Sequence, residues 1–377
     1  MARRQSSTPR RPPVGSSPLV VSRASGVGDP AGVRLEGGTL ETGLFLLELD
    51  ADGTLARLFD KRHAREVIPA GQPANDLQLF QDGPEREAAW NVHTTFEQRR
   101  YAWDSVQVKT VEQGPVRAVV RVTRRFRSSM VEQDIVAWAD LDRIDFVTRA
   151  DWQERQVLLK VAFPLEVRAE RAAFEVQFGA VERPTHRNTS WDQEKFEVCG
   201  HRWADLSEAG YGVSLLNDSK YGHDAHGSVL RLTLLRGPEW PDPDADRGRH
   251  EFTYALFPHA GDWRTGATAR RAWELNVPVA CVPAGSAHGA PRSLLAVDGP
   301  GVLEALKRAE DGDGWILRIS EPHGGRGRVA VRVPRALARV EACNHVEEGA
   351  ETLPHDGAAF WFPIRPFQVR TFRLRFR

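Results

Sequence analysis

The side chains best able to do chemistry are scattered, and the familiar catalytic spacings are incomplete. His250-Glu251 opens the zinc-binding pattern H-E-x-x-H, but Tyr254 stands where the second histidine is required. No Lys follows a Gly, which excludes a phosphate-cradling P-loop, and no G-x-S-x-G elbow presents a serine nucleophile. Asp242-Pro-Asp-Ala-Asp246-Arg-Gly248 has the acid content of a calcium loop. Its glycine falls one place late, however, and Thr253 takes the position of the closing bidentate Glu, so an Asx/Pro turn is expected. His223-Asp224-Ala-His226 puts three potential metal ligands within four residues. Neighbours on an extended chain point to opposite faces, and a surface turn is the expectation there. Paired carboxylates for acid–base work cannot be singled out among 51 Asp and Glu residues.

The elements that would have to position any site read as strands. Leu44 to Leu49, the turn Asp50-Ala-Asp-Gly53 and Leu55 to Phe59 form a plausible hairpin. Val116 to Val122, Arg143 to Arg149 and Val229 to Leu235 alternate with a period near two. Trp315 to Ser320, Arg328 to Val333 and Phe367 to Phe376 repeat the pattern, the last with one apolar and one Arg-rich face. Helical periodicity is scarce, and 24 prolines and 32 glycines punctuate the chain, which indicates all-β sandwiches. Pro283, Gly285, Ser286, Gly289 and Pro291 mark a boundary near Val282 to Arg292. The expected division is a leader over 1–32, a large sandwich over 33–285 and a small one over 292–377. The leader is rich in Arg, Ser, Pro and Gly, has no acid before Asp29 and lacks a secretory apolar stretch. It is expected to be disordered, a transit peptide being the alternative.

With 51 basic and 51 acidic residues, the chain has no electrostatic footprint for nucleic acid or anionic membrane. A neutral ligand such as an uncharged sugar fits that balance better than a phosphate polymer. No apolar run is long enough to cross a bilayer. Cys199, Cys281 and Cys343 are sparse, odd in number and far apart. Buried free thiols in a reducing cytoplasm are therefore expected, with neither a disulfide framework nor a thiolate zinc site.

The stretch from Asp151 to Trp263 resembles the C-terminal region of glycoside hydrolase family 38, the α-mannosidases. The strings that carry the resemblance are Leu158-Leu-Lys-Val-Ala-Phe-Pro164, Phe178 to Asp192, His201-Arg-Trp-Ala-Asp-Leu-Ser-Glu208 and Tyr211 to Gly222. Leu234-Leu-Arg-Gly-Pro238, Pro241 to Asp246 and His250 to Trp263 complete them. A looser likeness extends over about Val33 to Arg377. It implies a galactose-mutarotase-like sandwich followed by a smaller one. It also implies that catalysis belongs to an N-terminal α/β domain whose zinc is held by two His and two Asp, one Asp being the nucleophile. Those pieces would precede Val33, so no zinc ligand or catalytic residue carries over onto this chain. A truncated gene, a split gene or a misplaced start codon would each account for that.

The resemblance also implies that the sandwich closes one side of the active-site cleft. His186, Arg187, Asn188, Trp191 and Asp192 would then line its wall, since hydroxyls bond laterally to polar groups while a sugar's C–H face packs on an indole. The other reading makes this loop a hydrogen-bonded corner between sheets. Lys220, Tyr221 and Asp224, beside Asn217 and Asp218, form a second polar cluster, either a buried Lys–Asp pair or a ligand contact. Trp203, Trp240 and Trp263 are expected in packing, and Phe252, Tyr254, Leu256 and Phe257 in the core. The expected partners are a mannoside or other neutral sugar, a separately encoded catalytic domain, and a second copy of the chain if an apolar docking face is left bare. A stand-alone carbohydrate-binding module and an inactive gene remnant are the rival functions.

Overall fold

The computed structural model describes residues 14–16, 32–84, 86–282, 292–349 and 351–377. Strands dominate, in five sheets that are antiparallel wherever their pairing is described. The expected all-β architecture is what the chain adopts. It divides into two units, Gly26–Val176 with Val181–Val279, and Ala280–Arg377 with Gln177–Ala180 and Met1–Ser25. Of the expected leader only Val14–Ser16, a short strand paired with Arg292–Asp298, and Gly32 are among the described residues. The interior of the expected boundary, 283–291, lies outside them.

In the larger unit a six-stranded sheet runs in the order Val198–Cys199, Gly222–His226, Val229–Leu235, Val157–Pro164, Asp76–Gln81, Arg100–Tyr101. Period-two alternation sends Leu159, Val161, Phe163, Leu230, Leu232 and Leu234 inward. A nine-stranded sheet supplies the facing layer, with Val131, Ile135, Phe146, Trp152, Leu215, Tyr254 and Leu256 in the same buried cluster. Tyr254 stacks on Phe146 within its own sheet at 5.1 Å and meets Phe163 of the other edge-on at 6.1 Å. Its buried hydroxyl donates to Asn75 Oδ1 (2.8 Å) and accepts from Gln133 Nε2 (2.6 Å), so the polar atom costs little.

The opening hairpin forms as Phe45–Leu49 and Leu55–Asp60. Gly53 in its turn has φ +75°, and a Cβ there would lie 2.5 Å from Val122 Cγ2. Only glycine fits. Among the described residues helix is confined to short pieces, of which α1 (Ser190–Gln193) and α2 (Thr268–Asn276) are α-helical.

In the smaller unit, Val369–Phe376 lies between Trp315–Ser320 and Leu337–Cys343. Phe372 and Leu374 face the core, and Arg373 and Arg375 face the other way. Arg370 breaks the expected alternation, falling in phase with Phe372 and lying 5.4 Å from its ring. The Arg-rich face is covered by carboxylates, with Arg373 on Asp311 (2.6 Å) and Arg375 on Asp313 (2.7 Å).

Candidate functional site

The outer side of the six-stranded sheet carries charge where its inner side carries leucine. Register places Lys160 opposite Thr233, Ala162 opposite Arg231, and Asp224 opposite Arg231, which puts Lys160, Thr233, Arg231 and Asp224 on one face. Two segments reach over that face: the turn at Phe96–Gln98, whose Glu97 pairs with Arg231, and the stretch 185–197 that includes α1, whose Glu197 pairs with Lys160. Phe96 is the apolar plug, packed on Phe80, Leu158 and Phe196.

Lys160, 0 % exposed, pairs with Asp224 at 2.8 Å and with Glu197, and donates to Thr233 Oγ1 at 3.0 Å. Asp224 also accepts from Arg231 Nε at 2.7 Å, Arg231 pairs with Glu97, and Glu97 meets Arg187 at 3.2 Å. Three cations thus alternate with three carboxylates. Burial alone would raise the Asp224 pKa, but Lys160 and Arg231 outweigh it and hold the carboxyl below its usual range. Glu97 is likewise lowered by Arg231 and Arg187 against its partial burial.

The structure therefore joins Arg187 and Asp224, two of the expected site residues, through Glu97 and Arg231. His186, Asn188, Trp191 and Asp192 lie on the covering segment instead. Thr189 caps α1, accepting from the Asp192 N–H at 3.2 Å and donating to Asp192 Oδ2 at 2.8 Å. That hydroxyl, with Lys195 and His186 nearby, holds Asp192 below the ordinary carboxylate range. His186 Nδ1 lies 3.6 Å from Asp192 Oδ2 and 3.5 Å from the Asn188 N–H. Trp191 is 80 % exposed, its indole turned to solvent.

Several expectations are corrected. The buried Lys–Asp pair is real, but its lysine is Lys160, not Lys220. Lys220 instead sits 4.2 Å over the Phe252 ring, where burial pushes its pKa down. Tyr221 is exposed and edge-on to His201 at 5.3 Å. His223-Asp224-Ala-His226 is no surface turn but the strand Gly222–His226, with His223 and Asp224 both buried on opposite faces. His223 Nδ1 faces the Tyr221 carbonyl at 3.2 Å, and its buried Nε2 has no hydrogen-bond partner. Burial lowers its pKa to about 4, so the ring is neutral. Cys199 and Cys281 are free but exposed, not buried, and Cys343 is half-buried. Trp203 and Trp263 are buried and packed together at 5.0 Å, whereas Trp240 is exposed. The 242–246 segment is an Asx turn, the Asp244 N–H bonding Asp242 Oδ1 at 2.9 Å.

Sequence reasoning missed Lys160, Glu97, Glu197 and Arg231. The available signal was a lysine inside the apolar run 157–164, which a strand can only bury if it is paired. It also missed a buried cluster between the nine-stranded sheet and α2. There His259 Nε2 lies 2.8 Å from Asp205 Oδ2 and 3.1 Å from Ser214 Oγ, and Ser214 bonds Thr268 at 2.7 Å. Acid and hydroxyl share one ring nitrogen, so the group lacks the geometry of a nucleophilic relay. Among the described residues no three His, Cys, Asp or Glu side chains converge as a metal-ligand set.

Residues 40–244 match the model of the glycosyl hydrolases family 38 C-terminal domain, and residues 302–372 that of the family 38 C-terminal beta sandwich domain. The chain is 38% identical over 348 residues to human Alpha-mannosidase 2C1, covering 89% of itself and 33% of that protein. With Alpha-mannosidase G of Dictyostelium discoideum it shares 33% over 340 residues, 86% of itself and 31% of that protein. The chain thus spans about a third of the length of the curated relatives it matches. A crystal structure of a family 38 protein from Enterococcus faecalis shares the fold, with TM-score 0.71 at 16% identity over 90% of this chain and 44% of that one. By its sequence the chain belongs to glycosyl hydrolase family 38 as its C-terminal β-sandwich region.

Proposed function

We propose that these sandwiches are the accessory part of an α-mannosidase, acting on mannosides in company with a zinc-bearing catalytic domain outside these 377 residues. The observation that carries this reading is the 38% identity to a named α-mannosidase over nearly the whole chain. The six-stranded sheet fits the role, because its ionic array commits every charge to another side chain and fixes the covering segment in place. The exposed His186–Asp192 loop then presents Trp191 and flanking polar groups to a neutral pyranose. Cytoplasmic residence is part of the reading and accords with three free thiols.

In an enzyme assembled from this chain and its catalytic domain, Trp191→Ala should raise KM for an aryl α-mannoside roughly tenfold and leave kcat near wild type. An unchanged KM would assign the loop to support of the sheets alone.

A further inference from the structure

The 86–93 and 236–246 segments bring two exposed indoles together. Trp90 and Trp240 are 66 % and 51 % exposed, with ring centroids 5.2 Å apart and planes tilted by 56°. Their backbones are tied by the Ala89 N–H donating to the Trp240 carbonyl at 3.2 Å. A clamp centred on the buried Asp82 joins the same segments. Asp82 accepts from Arg236 Nε at 2.7 Å and from the His93 N–H at 2.9 Å, while Arg236 donates to the Asn91 carbonyl at 2.7 Å. The same clamp thus holds both segments. Gly237, at φ +66°, seals the second against Glu154, whose carbonyl oxygen would lie 2.3 Å from any added Cβ. Two tryptophans whose backbones are tied in this way present aromatic faces with part of the ordering cost met before any ligand arrives.

The rim of this surface decides the ligand class. Arg155 pairs with Asp244 at 3.0 Å and lies 3.8 Å from Glu239, and Arg247 pairs with Asp244 at 2.7 Å. Arg155 and Arg247 are matched by Asp244 and Glu239, and the exposed Asp242 beside Trp240 adds a negative charge, so this rim does not attract a phosphate or an acidic chain. Arg155 and Glu239, their side chains 45 % and 40 % exposed, remain to meet hydroxyls.

We propose that Trp90 and Trp240 form a carbohydrate-stacking site for a neutral pyranose, in addition to the Trp191 loop. The choice of a mannoside as ligand rests on the function proposed above; the site itself rests on the indole pair and its clamp. Calorimetric titration of the full chain with mannobiose tests it. Trp90→Ala and Trp240→Ala should each weaken binding at least tenfold, Trp240→Phe should weaken it less, and Trp273→Ala on α2 should leave it unchanged. Circular dichroism of each variant confirms that the fold is retained. A folded wild type giving no saturable heat, or a loss confined to Trp191→Ala, overturns the proposal. So does a Trp90→Ala/Trp240→Ala protein whose sedimentation changes while its sugar heats do not, since the surface would then be a protein contact. None of these results depends on whether the chain supports mannoside hydrolysis, so the two readings can fail separately.

Discussion

Replacing Lys160 by Met should cost the larger unit about 3–5 kcal/mol, the scale for removing one partner from a buried ion pair. The methionine fills the space of the lysine stem but strips the ammonium from between Asp224, 2 % exposed, and Glu197. Asp224 keeps Arg231, and Glu197 keeps the Thr233 hydroxyl at 2.6 Å, so the loss should fall toward the lower end of that range. The measurement is the urea midpoint at unchanged slope. The double variant Lys160→Met/Asp224→Asn should lose less than the sum of the single variants, because each then removes the charge that the other leaves stranded. Strict additivity would mean that the two side chains do not act as a pair.

The second large effect is set by pH. His223 is fully buried, and its folded pKa is lowered to about 4, against about 6.5 in the unfolded chain. Between these values the unfolded state binds a proton that the folded state refuses, so stability falls as pH drops below about 6.5 and levels off near 4. At about 1.4 kcal/mol per pH unit the window is worth roughly 3 kcal/mol. His223→Met removes this titration, and its stability should be flatter than wild type over that range. Asp224 acts in a different window. Its carboxyl is depressed, so its contribution is complete above about 4 and is lost only as acid takes pH below that. Parallel wild-type and His223→Met curves from pH 7 to pH 4 would mean that the ring does not stay neutral.

Much of the framework could be read before any coordinates, because strands declare themselves through alternation. Val229–Leu235 and the Asp50–Gly53 hairpin turn fall where the sequence puts them. What escaped depended on which strands become neighbours. Lys160 sits in an apolar run that marks a buried strand, yet its partners Glu197, Asp224 and Thr233 come from three other places in the chain. Without the strand order, Lys220, four residues from Asp224, was the nearer choice. Arg187 was singled out for its loop, and the structure gives it a Glu97 partner that sequence spacing could not supply. Trp240 differs from Trp203 and Trp263 not in type but in position: it lies on a connection between sheets, and they are buried against each other. That helix itself left a faint mark, the Arg270/Glu274 spacing that forms an i,i+4 pair at 2.9 Å.

The proposed role, assisting mannoside cleavage without performing it, can be tested directly. Hydrolysis of an aryl α-mannoside should be followed with the purified chain alone, with added zinc, and after co-expression with the zinc-bearing domain of a family 38 α-mannosidase. Turnover is predicted only in the co-expressed sample, above the level that domain reaches by itself. Zinc-dependent turnover by the chain alone, persisting through purification to homogeneity, would contradict it.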